Sequence, residues 1–87
     1  MLLVPGTAVC LRGGSVAAVW ERRGEQFRLF DPQYAREAIT AFAEAFRSGA
    51  VFAARHRVTL RHPDAALEEA LASAGFVREA LDYVLTR

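Results

Sequence analysis

Residues 31–49 read DPQYAREAITAFAEAFRSG, and this stretch decides the fold. Asp31 is an N-cap residue, because its carboxylate accepts bonds from the unpaired N–H groups of a first helical turn. Pro32 follows at N1, where a missing N–H costs nothing. Ala35, Ala38, Ile39, Phe42, Ala43 and Phe46 recur at i, i+3, i+4 and i+7, which makes one apolar stripe on a helix. Gly49 supplies the left-handed residue that ends it. Arg36, Glu37, Glu44 and Arg47 fall mostly on the opposite side. The spacing therefore predicts a helix from Asp31 to Gly49 with one face to bury.

Working outward, the residues before the helix predict an antiparallel meander. Thr7–Arg12 is a β-prone run, and Gly13-Gly14 is a two-residue hairpin turn in which both glycines accept positive φ. Ser15–Arg22 is the returning strand, apolar at consecutive positions and so expected to be covered on both faces. Arg23-Gly24 turns again. Glu25–Phe30 alternates, with Phe27 and Leu29 on one side and Gln26 and Arg28 on the other.

After Gly49, residues 50–54 (AVFAA) are an apolar linker that packs back on the core. Arg55–Arg61 alternates, with His56, Val58 and Leu60 inward and Arg55, Arg57, Thr59 and Arg61 outward. His62-Pro63 stops this strand. Asp64 caps a short helix carrying Leu67, Ala70, Leu71 and Ala74 inward, and Gly75-Phe76 ends it. Leu81–Thr86 is the last strand, with Leu81, Tyr83 and Leu85 on one face. The expected order is β-β-β-α-β-α-β. That is an α+β domain: a β-meander, then helix, strand, short helix and strand, the helices lying on one face of a mostly antiparallel sheet.

The chain has 87 residues, 53% hydrophobic and 24% charged, which suits one small folded domain over residues 1–87 and argues against disorder. A formal net charge of +1 advertises no global affinity for nucleic acid. Every basic residue is Arg, a bias of the kind that codon preference produces. One Cys leaves no internal disulfide and fits a reducing compartment. No apolar run approaches the length of a signal peptide or a transmembrane helix, so a cytoplasmic location without membrane contact is expected.

Little of the chain reads as chemistry. Cys10 lies between Val9 and Leu11 with no base nearby in sequence, as a small buried hydrophobe does. His56 and His62 lack partners at ligand spacing, so no metal site is expected. His56 is read as a core residue and His62 as a loop residue. Glu68 and Glu69 are helix neighbours that do not share a face. Gly13-Gly14 leads into a strand, and there is no Lys, so it is not a phosphate loop. Trp20, Phe27, Phe30, Tyr34 and Tyr83 suit a core better than a base-stacking platform. No catalytic residue, cofactor or small-molecule substrate is inferred.

One surface feature stands out. Arg55, Arg57 and Arg61, with Arg28 on the same sheet surface, form a basic row. Alternate strand residues repeat at roughly 6.6–6.8 Å, close to the phosphate spacing of an extended single strand. The row is either a soluble strand face in an Arg-rich protein or a nucleic-acid contact.

Residues 5–30, PGTAVCLRGGSVAAVWERRGEQFRLF, with the long helix, then RVTLR and LEEALASAGFV, resemble the far C-terminal domain of the large Lhr-type ATP-dependent helicases. Gly13-Gly14, Val19-Trp20 and Leu29-Phe30-Asp31-Pro32 are also similar to the β-rich domain of winged-helix proteins related to crosslink-unhooking DNA glycosylases. The resemblance covers nearly the whole chain, with the loop at His62-Pro63-Asp64 shorter than in many members. It implies a DNA-repair setting and a non-catalytic accessory domain, either excised from a helicase or free-standing. The RecA-like domains that hydrolyse ATP are not in these residues. The implied partners are single-stranded or partly unwound DNA, neighbouring helicase domains, or the domain itself through apolar surface.

Two other classes stay open. One is a structural or protein-interaction module, which an apolar patch around Met1–Val4 and Val51–Ala54 would favour. The other is an N-acetyltransferase-like fragment, because residues 67–87 resemble the tail of that fold. No R/Q-x-x-G-x-G/A stretch precedes a helix, which counts against it.

Overall fold

The computed structural model describes residues 2–4 and 6–87, and side-chain surroundings from Gly6 onward. Among the described residues the chain forms seven strands and two α-helices. These are β1 (Leu2–Val4), β2 (Thr7–Arg12), β3 (Ser15–Glu21), β4 (Gln26–Leu29), α1 (Ala35–Arg47), β5 (Arg57–Leu60), α2 (Glu68–Ser73), β6 (Val77–Glu79) and β7 (Asp82–Thr86). The class is α+β, and the β-β-β-α-β-α-β order is present with β1 and β6 added. All strand pairs are antiparallel, but they form two sheets, not one: β1-β2-β3-β4 and β5-β7-β6.

The meander closes as its turn residues dictate. Arg12 pairs with Ser15 across Gly13 (φ 56°) and Gly14 (φ 83°). The register slips between Cys10 and Leu11, leaving Ala17 unpaired with β2. Its carbonyl instead accepts from Phe30 N–H at 2.8 Å and Asp31 N–H at 3.3 Å, which ties the end of the meander to the start of the helical segment. β3 is covered less evenly than expected, since Val16 remains 44% exposed.

Asp31 does cap, accepting from Gln33 N–H at 3.2 Å, but the turn it caps is a 3-10 turn over Pro32–Tyr34. The α-helix begins at Ala35. Ala38, Ile39, Phe42, Ala43 and Phe46 are buried, as the stripe requires. Asp64 similarly caps a 3-10 turn over Ala65–Leu67 ahead of α2. Phe76 N–H donates to Leu71 C=O at 3.0 Å and Gly75 N–H to Ala72 C=O at 3.1 Å, the two bonds of a Schellman close, with Phe76 buried.

One core serves both sheets. Trp20 stacks on Phe42, with ring centroids 4.3 Å apart and planes 8° from parallel, and Phe46, Phe52 and Phe76 surround Phe42. Ala8 and Ala18 join from the first sheet, and Val58, Leu60, Tyr83 and Leu85 from the second. The Trp20 indole N–H has no protein partner among the described residues. Aromatic packing, not N–H pairing, therefore fixes Trp20. Val51 and Phe52 pack back as expected, while Ala53 and Ala54 stay exposed. The proposed apolar patch at Met1–Val4 lies outside the residues whose side chains are described.

Other expectations change as well. Arg55 and His56 precede β5, and His56 is exposed, because pairing with β7 begins at Arg57 opposite Thr86. Leu81 sits in the turn between Glu79 and Asp82 and is 62% exposed, leaving Tyr83 and Leu85 to carry the inner face. Arg28 belongs to the other sheet from Arg57, so the four arginines do not form one strand row.

Candidate binding surface

Arg28 in β4 and Arg61 just after β5 face one groove at the junction of the sheets. This groove of about 830 Å³ runs beside β4, with Arg22 on its rim. Phe27, Leu29, Leu60 and Leu67 supply an apolar lining, and Glu21 and Asp64 add two carboxylates. Arg55 and Arg57 lie outside it, towards the other end of β5.

The arginines are largely neutralised by local partners. Arg28 pairs with Glu21 at 3.4 Å, Arg57 with Glu79 at 2.8 Å, and Arg61 with Asp82 at 3.9 Å. Arg55 Nε donates to the Arg57 carbonyl at 3.4 Å. The arginines are exposed and Glu21 and Asp82 half-buried, and an ion pair at such a surface is worth about 0–1 kcal/mol. A phosphate or carboxylate from a partner can displace them at little cost. Arg22 has no carboxylate partner among the described residues.

Arg22 is the groove residue that sequence reading did not single out. It opens the turn Arg22–Gly24, in which Arg22 and Arg23 hold φ of 52° and 57°. Arg23-Gly24 reads as a turn and Arg22 as the last residue of the strand before it, with nothing in the sequence to show that the turn faces β5. The groove's apolar lining was legible only as strand residues, because β4 and β5 approach each other through a contact far apart in sequence.

A second cleft of about 790 Å³ lies between the β2–β3 hairpin and α1. Arg12 bonds Glu37 at 2.7 Å and lies 3.8 Å over the Tyr34 ring. Tyr34 first, then Glu37, raises the Arg12 pKa above its ordinary value. Cys10 lines this cleft half-buried, with neither His56 nor His62 among the lining residues. No cluster of three His, Cys, Asp or Glu suited to a metal exists among the described residues. No described helix is long and apolar enough to cross a membrane. Glu68 receives the Tyr83 hydroxyl at 3.0 Å and faces Arg78, whereas Glu69 pairs with Arg36, so the two acids look in different directions.

Comparison with protein-family models, curated proteins and solved structures finds no match to this chain.

Proposed function

We propose that this chain is a non-catalytic accessory domain of a nucleic-acid-processing assembly of the Lhr helicase kind. In this reading Arg28 and Arg61 in the groove, with Arg57 and Arg55 beyond it, offer guanidinium groups to the phosphates of single-stranded or partly unwound DNA. The observation that carries it is the convergence of Arg28, Arg61 and Arg22 on one groove with an apolar lining. Weak surface carboxylate partners leave these cations exchangeable.

The test is fluorescence anisotropy of the domain with labelled single-stranded DNA across a salt series. Phosphate contact predicts a log–log salt slope of about −0.7 for each phosphate neutralised. Joint replacement of Arg55, Arg57 and Arg61 by Ala lowers both affinity and slope. An unchanged slope in that variant removes those residues from the account.

A second reading is a protein-docking module, in which a partner's carboxylates replace those that Arg28, Arg57 and Arg61 already face.

A further inference from the structure

The outer edge of β4 is a vacant pairing edge. Phe30 N–H bonds Ala17 C=O, and the register runs Glu21↔Gln26, Trp20↔Phe27, Val19↔Arg28, Ala18↔Leu29. In an antiparallel ladder, bonded pairs alternate. Gln26 and Arg28 therefore bond inward to β3, and the N–H and C=O groups of Phe27 and Leu29 point outward, beside the groove.

The same outward set includes Glu25, whose carbonyl accepts from Arg61 N–H at 2.8 Å. The segment after β5 thus takes the first slot of the edge. It then turns away at His62, which holds φ 49°, before reaching the next two. Residues 61–64, 66 and 67 continue as the far wall of the groove. No protein group bonds the Phe27 or Leu29 backbone on this side among the described residues.

We propose that an extended acidic peptide segment of a partner protein adds as an antiparallel strand to β4 in this groove. The inference rests on the protein-docking reading and names its occupant. Strand addition takes affinity from main-chain bonds and specificity from alternate side chains. Residues opposite Phe27 and Leu29 share the face of Trp20 and meet the apolar lining. The residue between them falls opposite Arg28, with Arg22 and Arg61 lining the same groove, and a carboxylate there takes the place of Glu21 in its 3.4 Å pair with Arg28. The recognised pattern is therefore apolar, acidic, apolar.

A second copy of β4 fits poorly. The two-fold register that uses both free residues pairs Phe27 with Leu29 and sets Arg28 opposite Arg28, a like-charge pair.

The test titrates the full 87-residue chain with acetyl-Val-Glu-Val-Glu-Val-amide and follows backbone amides by NMR and hydrogen exchange. Slowed exchange at Phe27 and Leu29 is expected. N-methylation of the peptide's valines weakens binding about tenfold, because it removes ladder bonds. N-methylation of its glutamates, whose N–H groups face away from β4, leaves affinity within about twofold. In Arg28→Gln the preference for Glu over Gln in the peptide falls.

Peptide binding that depends on Arg28 without protection of Phe27 and Leu29 overturns strand addition while leaving the docking reading intact. Absence of peptide binding overturns both. Protection of the same amides by single-stranded DNA, with displacement of the peptide, assigns the groove to nucleic acid and overturns the peptide proposal.

Discussion

Gly24 lies so close to Val58 that a Cβ on Gly24 would sit 2.2 Å from Val58 Cγ1. This contact and the Arg61–Glu25 backbone bond hold the two sheets against each other, and the groove is the gap they leave. Gly24 also holds φ 93°.

Gly24→Ala is therefore expected to cost about 2–4 kcal/mol, combining overpacking with left-handed strain. Chemical denaturation measures it. In the double variant with Val58→Ala the clash is relieved and the φ strain remains, so the combined loss is smaller than the sum of the single losses. Simple additivity would show that the two residues are not in contact.

Phe42→Ala is expected to cost about 3–5 kcal/mol, because it opens a void against Trp20, Phe46, Phe52 and Phe76. That is a large share of the about 5–15 kcal/mol that holds small domains together. Trp20 is the single tryptophan and reports the loss directly. A red-shifted emission and a lower denaturation midpoint are predicted.

Tyr83 contributes a pH dependence. Burial first, then its hydrogen bond to Glu68, raises its pKa above the usual tyrosine value. A raised folded-state pKa means the folded protein holds this proton more tightly than the unfolded chain. The associated stability is present below about pH 10, the unfolded value. It is lost as pH rises through the higher folded value. Tyr83→Phe should flatten the alkaline limb of a Tm-versus-pH curve. An unchanged limb would show that Tyr83 does not drive it.

Asp31→Ala should lower stability by about 0.5–2 kcal/mol through loss of the Gln33 cap bond. Asp31→Asn, which keeps an acceptor oxygen, should recover most of it. Thermal melts of the three proteins decide the matter.

The helical stripe was readable because Ile39, Phe42 and Phe46 obey a period that only one structure satisfies. The Gly13-Gly14 turn was readable because positive φ at two successive positions leaves few alternatives. Elements of three residues, such as Leu2–Val4 and Val77–Glu79, carry no period to detect. The split into two sheets was hidden for another reason. It depends on β5 choosing β7 over β4, a long-range pairing to which Gly24 and Val58 contribute through shape. For the same reason Arg28, Arg57 and Arg61 were recognisable as outward residues, while the groove that gathers only Arg28 and Arg61 of these was not.

Arg87 sends its guanidinium to the carbonyls of Phe46, Val51, Phe52 and Ala53, at 2.8–3.4 Å, and stacks 4.4 Å over the Phe46 ring. These partners precede it by 34 to 41 positions. The Phe46 and Phe52 carbonyls also accept locally, from Gly49 N–H at 3.1 Å and Arg55 N–H at 2.9 Å, so Arg87 adds a distant clasp to a bend that is already partly bonded. A side chain from beyond β7 thus braces the bend that holds Phe52, at φ 49°, against the core.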